Sequence, residues 1–228
     1  MQEKNGLDFS TVIASAVHDM KNSLGMLLST LDEFFSELPE ELRKSPRQAT
    51  LQYEAERVNI DLIQLLGLYR LEHEQLMVRV DEQFVRDFLE EQVARYSMLA
   101  AARKISLEID CDRDLAGYFD GELVSGVINN ILANASRYTQ DRILLKAVPE
   151  EGGVSIEVHD NGTGYPEAML NTPGEILNGI NFKTGSTSLG LYFAAKVADL
   201  HIQGDRKGAI KLQNGGQYGG GVFKMYLP

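Results

Sequence analysis

The chain has 228 residues, a formal net charge of −11, and a composition that is 43% hydrophobic and 24% charged. Those values suit one ample globular domain or two small ones, and they exclude a disordered chain or a protein that binds nucleic acid through overall positive charge. No apolar run approaches the roughly 20 residues that span a bilayer, and the single Cys111 excludes an internal disulfide and argues against zinc. The opening MQEKNGLDF lacks the basic start and apolar centre of a signal peptide. A cytoplasmic protein is expected, with no nucleic-acid partner and no membrane segment. Acidity does not exclude a small anionic nucleotide, which needs only a local site.

Residues 9 to 38 carry apolar side chains at Ile13, Val17, Met20, Leu24, Leu27, Leu31, Phe34 and Leu38. The steps alternate four and three, the 3.5-residue period of a helix seam packed on other helices. Pro39 and Pro46 bracket a polar connection. A second seam follows through Leu51, Ala55, Val58, Leu62, Leu65 and Tyr69. Two such helices predict an antiparallel hairpin. Leu28, Phe35, Ile63, Leu66 and Leu68 widen the apolar faces beyond what one hairpin covers, so a homodimer forming a four-helix bundle is expected. His18 falls just outside the seam position Val17, on the bundle's flank, with Asn22 and Gly25 following along that flank. A histidine placed there is either idle or a nucleophile.

Near residues 75 to 80 the period changes. Strand-like runs MVRV, ISLEID, RILLKAV, VSIEVHD, AIKLQ and VFKMYLP alternate with helix-like stretches around 84–102, 121–138 and 188–200. The fold class predicted is α+β. A helical hairpin occupies residues 1–77, and helices on one antiparallel-leaning sheet occupy residues 78–228.

Three stretches of the second half carry chemistry. In VINNILANASRYT (127–139), Asn130, Asn134 and Arg137 or Tyr138 recur as one polar stripe beside Val127, Ile128, Ile131 and Leu132. The stripe is either a solvated face or a pair of carboxamides suited to Mg²⁺ and a phosphate's water shell, with Arg137 adding charge. In VHDNGTGYP (158–166) a strand delivers Asp160, and Gly162 and Gly164 let the backbone turn close to a ligand. An ionised aspartate only accepts, which suits an exocyclic amine such as adenine's, although D-x-G-x-G is also an ordinary turn. In TGSTSLGLYFAAKVADLH (184–201), Gly185 and Gly190 precede an apolar helix, and Leu191 stands where a P-loop needs lysine. A helix entry of that kind still offers backbone N–H groups to phosphate.

In their order these pieces resemble the sensor histidine kinases of two-component signalling, and the likeness covers nearly the whole chain. HDMKN resembles their phosphoacceptor box, NNILANASRY their N box, DNGTG their first glycine box and GSTSLGL their second. The resemblance implies a dimerisation and phosphotransfer hairpin joined to a Bergerat-type ATP-binding domain, an α/β sandwich. By position it implies phosphorylation of His18, with Asp19 as its acid–base partner. It further implies Mg²⁺ on Asn130, the ATP phosphates on Asn134 and Arg137, the adenine face on Tyr138 and the adenine amine on Asp160. Gly162, Gly164, Gly185 and Gly190 would shape the nucleotide loops. The phosphoryl group would pass to an aspartate on a response-regulator receiver domain. Asp19 and Asn22 match the family's E/D-x-x-T/N pattern for removing phosphate from that partner. Two positions depart from the pattern. Ser23 stands where proline often bends the helix, and Ser186 and Ser188 replace two lid glycines.

The same ATP fold serves gyrase-like, mismatch-repair and chaperone ATPases, which resemble one another in a water-activating glutamate four residues before the N-box asparagine. Asn130 occupies that position here, and an amide is no general base. ATP is then spent on a better nucleophile, such as the neutral imidazole of His18 with its unperturbed pKa of about 6.5. Two rival readings are a non-enzymatic phosphotransfer protein with a degenerate ATP domain, and an anti-sigma-type serine kinase, which needs no histidine hairpin. Neither a receiver nor a sensor segment is legible, so input is expected from a separate partner, a missing N-terminal region or an unrecognised surface.

Overall fold

The computed structural model describes residues 9–37, 78–170 and 188–228, with positions 51, 54, 55, 58, 59, 62, 65–67 and 69. The chain divides into two compact units, Met1–Met77 and Val78–Pro228.

In the first unit, α1 (Phe9–Glu37) runs as one helix through His18 and Ser23. Serine keeps the backbone N–H that proline would lack, so the ladder has no covalent reason to break there. The described positions from 51 to 69 are also helical. The connection through Pro39 and Pro46 lies outside the described residues. The apolar seam of α1 splits into two heptad rows. Val17 is 6% exposed and Leu24 and Leu31 are half-buried, whereas Met20 is 56% exposed and Leu27 and Phe34 are comparably open. The second seam divides the same way: Ala55 and Leu62 are half-buried, while Leu51, Val58 and Leu65 are exposed. Met20 therefore does not share Val17's burial within one chain, as a single continuous seam required.

The second unit is a five-stranded sheet covered on one face by helices. Its strands are β2 (Ser106–Asp110), β4 (Arg142–Glu150), β5 (Gly153–Asp160), β8 (Ala209–Asn214) and β9 (Gly221–Leu227), in the order β2-β4-β5-β9-β8. Only β2 and β4 pair in parallel. The cover consists of α2 (Val85–Ala102), α3 (Gly121–Tyr138) and α5 (Ser188–Leu200). A two-stranded ribbon of β1 (Asp81–Phe84) and β3 (Ala116–Phe119) lies beside them, and a small hairpin joins β6 (Ile202–Gln203) to β7 (Arg206–Lys207). A short helix, α4 (Glu167–Leu170), follows β5.

Pleat parity decides which residues face the helices. Ile143, Leu145 and Ala147 of β4 stand opposite Asp160, Val158 and Ile156 of β5, and the last two stand opposite Phe223 and Met225 of β9. These apolar residues are almost wholly buried against Val124, Ile128, Ile131 and Leu132 of α3 and their neighbours, the larger ones contributing about 1.5–3 kcal/mol each. Asp160 belongs to the same row at the end of β5, so the alternation of the strand itself delivers a carboxylate beneath α3. His159 is turned to the opposite face.

One expectation changes. Of MVRV, residues 78–80 are not strand; the strand begins at Asp81 and pairs with β3, which the sequence pattern did not reveal. The helix expected around 84–102 is found at Val85–Ala102, with Phe84 extended as its N-cap. The short elements β6, β7 and α4 also went unread.

One buried histidine is structural. His201 is 1% exposed; its Nε2 accepts from the Asp120 N–H at 3.0 Å, and its Nδ1 lies 2.8 Å from the Val197 carbonyl, so Nδ1 carries the proton. Asp120 in turn caps α3, accepting from Leu123 N through Oδ1 and from Arg79 N through Oδ2. Burial holds the His201 imidazole below its usual pKa. The unfolded chain then binds the extra proton first, so the stability due to neutral His201 is full above about pH 6.5 and is lost as pH falls below it. The protection factors of the β4–β5 ladder in the full chain, taken relative to the intrinsic exchange rate at each pH, are expected to fall on acidification through that range. His201→Gln, which cannot titrate, is expected to remove this part of the slope.

Candidate functional site

The end of β5 and the exposed edge of α3 enclose a cleft of about 190 Å³. From α3 it is lined by Ile131, Asn134, Ala135 and Tyr138, the i, i+3, i+4, i+7 face of a helix. Asp160, Thr163, Gly164, Tyr165 and Pro166 supply the opposite wall, closed by Met169 and Leu191. The lining is mostly apolar with few polar groups, as a flat heteroaromatic ligand requires.

Asp160 is the buried charge of this cleft, 8% exposed. Its Oδ1 accepts from Gly162 N at 2.7 Å and Gly221 N at 3.2 Å, and its carbonyl accepts from Gly220 N. Among the described residues no hydrogen bond reaches Oδ2. The carboxylate is thus fixed by one oxygen and offers the other, a pure acceptor, to a ligand's N–H. Gly162 is required for this approach, since a Cβ there would meet the Tyr138 carbonyl at 2.1 Å. Gly164 turns with φ +77°, a left-handed conformation that glycine adopts without strain. Burial, with the Asp160 charge adding, pushes the Tyr165 hydroxyl well above its usual pKa, so it stays neutral.

Asn130 lies one turn before Asn134 and is 5% exposed; its Oδ1 accepts from Asn134 Nδ2 at 3.2 Å. A second lone pair remains on that oxygen. One amide oxygen fits Mg²⁺, which keeps most of its water shell and takes few protein ligands when it arrives with a nucleotide. No cluster of three His, Cys, Asp or Glu able to hold a metal exists among the described residues. Arg137 and Tyr138 are exposed at the rim, the guanidinium carbon 6.0 Å from the Tyr138 ring centre.

The structure therefore brings Asn130, Asn134, Tyr138, Asp160, Gly162 and Gly164 together, with Arg137 beside them. Gly190 has a different neighbour from the one expected. It sits in the first turn of α5, where a Cβ would lie 2.2 Å from Asn130 Oδ1, so its small size admits the close approach of α5 to α3. Ser188 opens that helix; Gly185 and Ser186 lie outside the described residues. In the other unit, His18 is on α1, and Asp19 and Asn22 are exposed on the same helix.

Two positioning residues had no signal beyond turn composition. Asn161 Oδ1 receives the successive backbone N–H groups of Gln140, Asp141 and Arg142 at 3.0–3.1 Å, fastening the end of α3 to the end of β5. Asn214, on β8, bonds both backbone groups of Tyr165. Ile131 and Ala135 were readable as helix positions but not as cleft wall, because the polar stripe drew attention one step around the helix.

Residues 119–228 match the family described as histidine kinase-, DNA gyrase B- and HSP90-like ATPase. The sensor histidine kinase GraS of Staphylococcus haemolyticus is 27% identical over 187 residues, 80% of this chain and 52% of that protein. The chain spans about half or less of the length of the curated relatives it matches. Among solved structures, the histidine kinase AdeS of Acinetobacter baumannii superposes with TM-score 0.59 at 16% identity, covering 92% of this chain and 96% of that one. Full-length ShkA, solved in complex with AMPPNP, gives TM-score 0.66 at 19% identity, covering 96% of this chain and 45% of that one. The chain is accordingly similar to sensor histidine kinases over most of its length, and its second unit carries the ATPase fold of the matched family.

Proposed function

We propose that the chain is an ATP-dependent histidine kinase that phosphorylates itself on His18 and passes the phosphoryl group to an aspartate of a response-regulator receiver domain. The observation that carries the nucleotide half is Asp160, buried at the cleft floor with Oδ1 held by two backbone N–H groups and Oδ2 left to accept from the adenine amine. Ile131, Ala135 and Met169 receive the base, and Tyr138 covers its face. Asn134 and Arg137 take the phosphates, and Asn130 holds Mg²⁺, which neutralises phosphate charge when bound. The first-turn N–H groups of α5 add further donors.

Phosphoryl transfer is favoured over hydrolysis because the position beside Asn134 holds the carboxamide of Asn130, which takes no proton from water. The His18 Nε2 lone pair forms the new N–P bond as the γ-phosphorus leaves the β–γ bridging oxygen of ADP, and Asp19 stabilises the proton on Nδ1. The exposed rows Met20, Leu27, Phe34 and Leu51, Val58, Leu65 support a homodimer, since a second copy covers them as a four-helix bundle. The assignment of residues 1–77 to dimerisation and phosphotransfer and of 78–228 to ATP binding rests on the same reading. The test is incubation with γ-labelled ATP and Mg²⁺. Acid-labile, base-stable label that is absent from His18→Gln supports the reading; base-labile label points to a serine kinase, and failure to bind nucleotide points to a degenerate ATP domain.

Asn22 separates two activities on one flank. Kinase transfer needs the imidazole, Asp19 and ATP, whereas dephosphorylating a receiver needs a water held in line with the acyl phosphate, a task for a carboxamide. Asn22→Ala is expected to keep autophosphorylation and to slow loss of phosphate from the receiver about tenfold or more. Alanine at this exposed helical site costs the fold little. Equal loss of both activities in a folded dimer would assign Asn22 to docking instead.

A further inference from the structure

We infer that Asn214 is a positioning residue for the nucleotide base, acting as a clamp on the loop that forms one wall of the cleft. The inference rests on the adenine reading of the cleft. Asn214 Oδ1 accepts from Tyr165 N at 2.7 Å, and its Nδ2 donates to Tyr165 O at 2.8 Å. Only one orientation of the amide satisfies both partners, so the carboxamide behaves like the peptide of a neighbouring strand and continues the β8 edge onto the loop. The fit is tight, because a Cβ on Gly164 would meet Asn214 Oδ1 at 2.6 Å.

The place of Asn214 in the sheet gives the clamp its reach. Asn214 stands opposite Gly221 on the last rung of β8–β9. From that rung Asn214 holds Tyr165, while Gly221 N holds Asp160 Oδ1. Next to it Gly220 N bonds the Asp160 carbonyl, and Gly220 O accepts from Gly215 N, closing the turn. The Tyr165 ring lies under Gly221, whose Cβ would come within 3.1 Å of it. One rung of the C-terminal hairpin therefore sets the spacing between the group that reads the base and the wall against which the base lies. Asn214 touches no ligand-facing surface of the cleft itself; it acts through Tyr165 and Gly164.

Releasing the clamp removes two hydrogen bonds from a loop whose other contacts persist, so ligand affinity falls while the fold stays. Asn214→Ala in the full chain is expected to weaken ADP and adenosine by the same factor, about tenfold, because the defect lies at the base and not at the phosphates. Asn214→Asp keeps the acceptor for Tyr165 N–H but opposes a carboxylate to Tyr165 O, and is expected to be weakened as well. The Tyr165 amide, followed by hydrogen exchange, is expected to lose protection in Asn214→Ala while the β4–β5 ladder keeps it. Calorimetry on wild type with ADP comes first: no binding there overturns the adenine reading. Wild-type binding with unchanged affinity in Asn214→Ala overturns the clamp alone. Loss confined to ADP, or loss accompanied by exchange throughout the sheet, overturns it too, assigning Asn214 to phosphate binding or to stability.

Discussion

Asp160→Asn is expected to lower ATP affinity by about 30- to 1000-fold, measured by calorimetry on the full chain. The substitution keeps shape and one acceptor, and that acceptor is already taken by Gly162 and Gly221. The new amide nitrogen replaces Oδ2, so a donor confronts the donor of the adenine amine in a buried site. Losing a charged hydrogen bond and leaving a buried group unpaired costs about 2–4 kcal/mol, which is the stated range at about 1.4 kcal/mol per decade. The same variant is expected to gain relative preference for inosine triphosphate, whose base presents a carbonyl where adenine has its amine. Tight ATP binding by Asp160→Asn, with no change in base preference, would place the adenine elsewhere.

Leu27→Lys is expected to convert a dimer into a monomer. Leu27 lies midway along the exposed row of α1 and is 50% exposed in the single chain. In a four-helix bundle that row is covered by the partner, and the substitution buries an uncompensated charge in each copy at several kcal/mol apiece. Sedimentation at micromolar concentration is expected to show a dimer for the wild type and a monomer with undiminished helix for Leu27→Lys. Leu62 differs, being half-buried within one chain. Leu62→Lys is therefore expected to loosen the helical unit itself as well as the dimer. A wild-type monomer would remove the reason for the exposed rows.

The three long helices of the ATP-binding unit were legible because their signals are local. Residues 84–102, 121–138 and 188–200 carry a helical period, and the structure places helices at Val85–Ala102, Gly121–Tyr138 and Ser188–Leu200. The ribbon β1–β3 was not legible, because four-residue strands with mixed exposure give too little alternation to stand out. Asp160 could be singled out from D-x-G-x-G, and strand parity explains why it points into the cleft. Asn161 and Asn214 could not, since asparagine before glycine reads as turn chemistry; what they hold is fixed by partners about 20 and 49 residues away. Gly190 was legible as a necessary glycine but not for its reason, which is the Asn130 amide from another helix. The heptad steps of the first unit marked helices, while the division into covered and open rows depends on packing that period alone does not give.

The most direct test of the central claim, that this cleft serves a histidine nucleophile and not water, is the fate of the γ-phosphate of labelled ATP. In the purified full chain with Mg²⁺, the account predicts label accumulating on the protein toward one phosphoryl group per active site, lost in acid, absent from His18→Gln, and accompanied by little inorganic phosphate. Continuous release of inorganic phosphate that is equal in wild type and His18→Gln, with no label on the protein, would contradict it and make the cleft an ATP hydrolase.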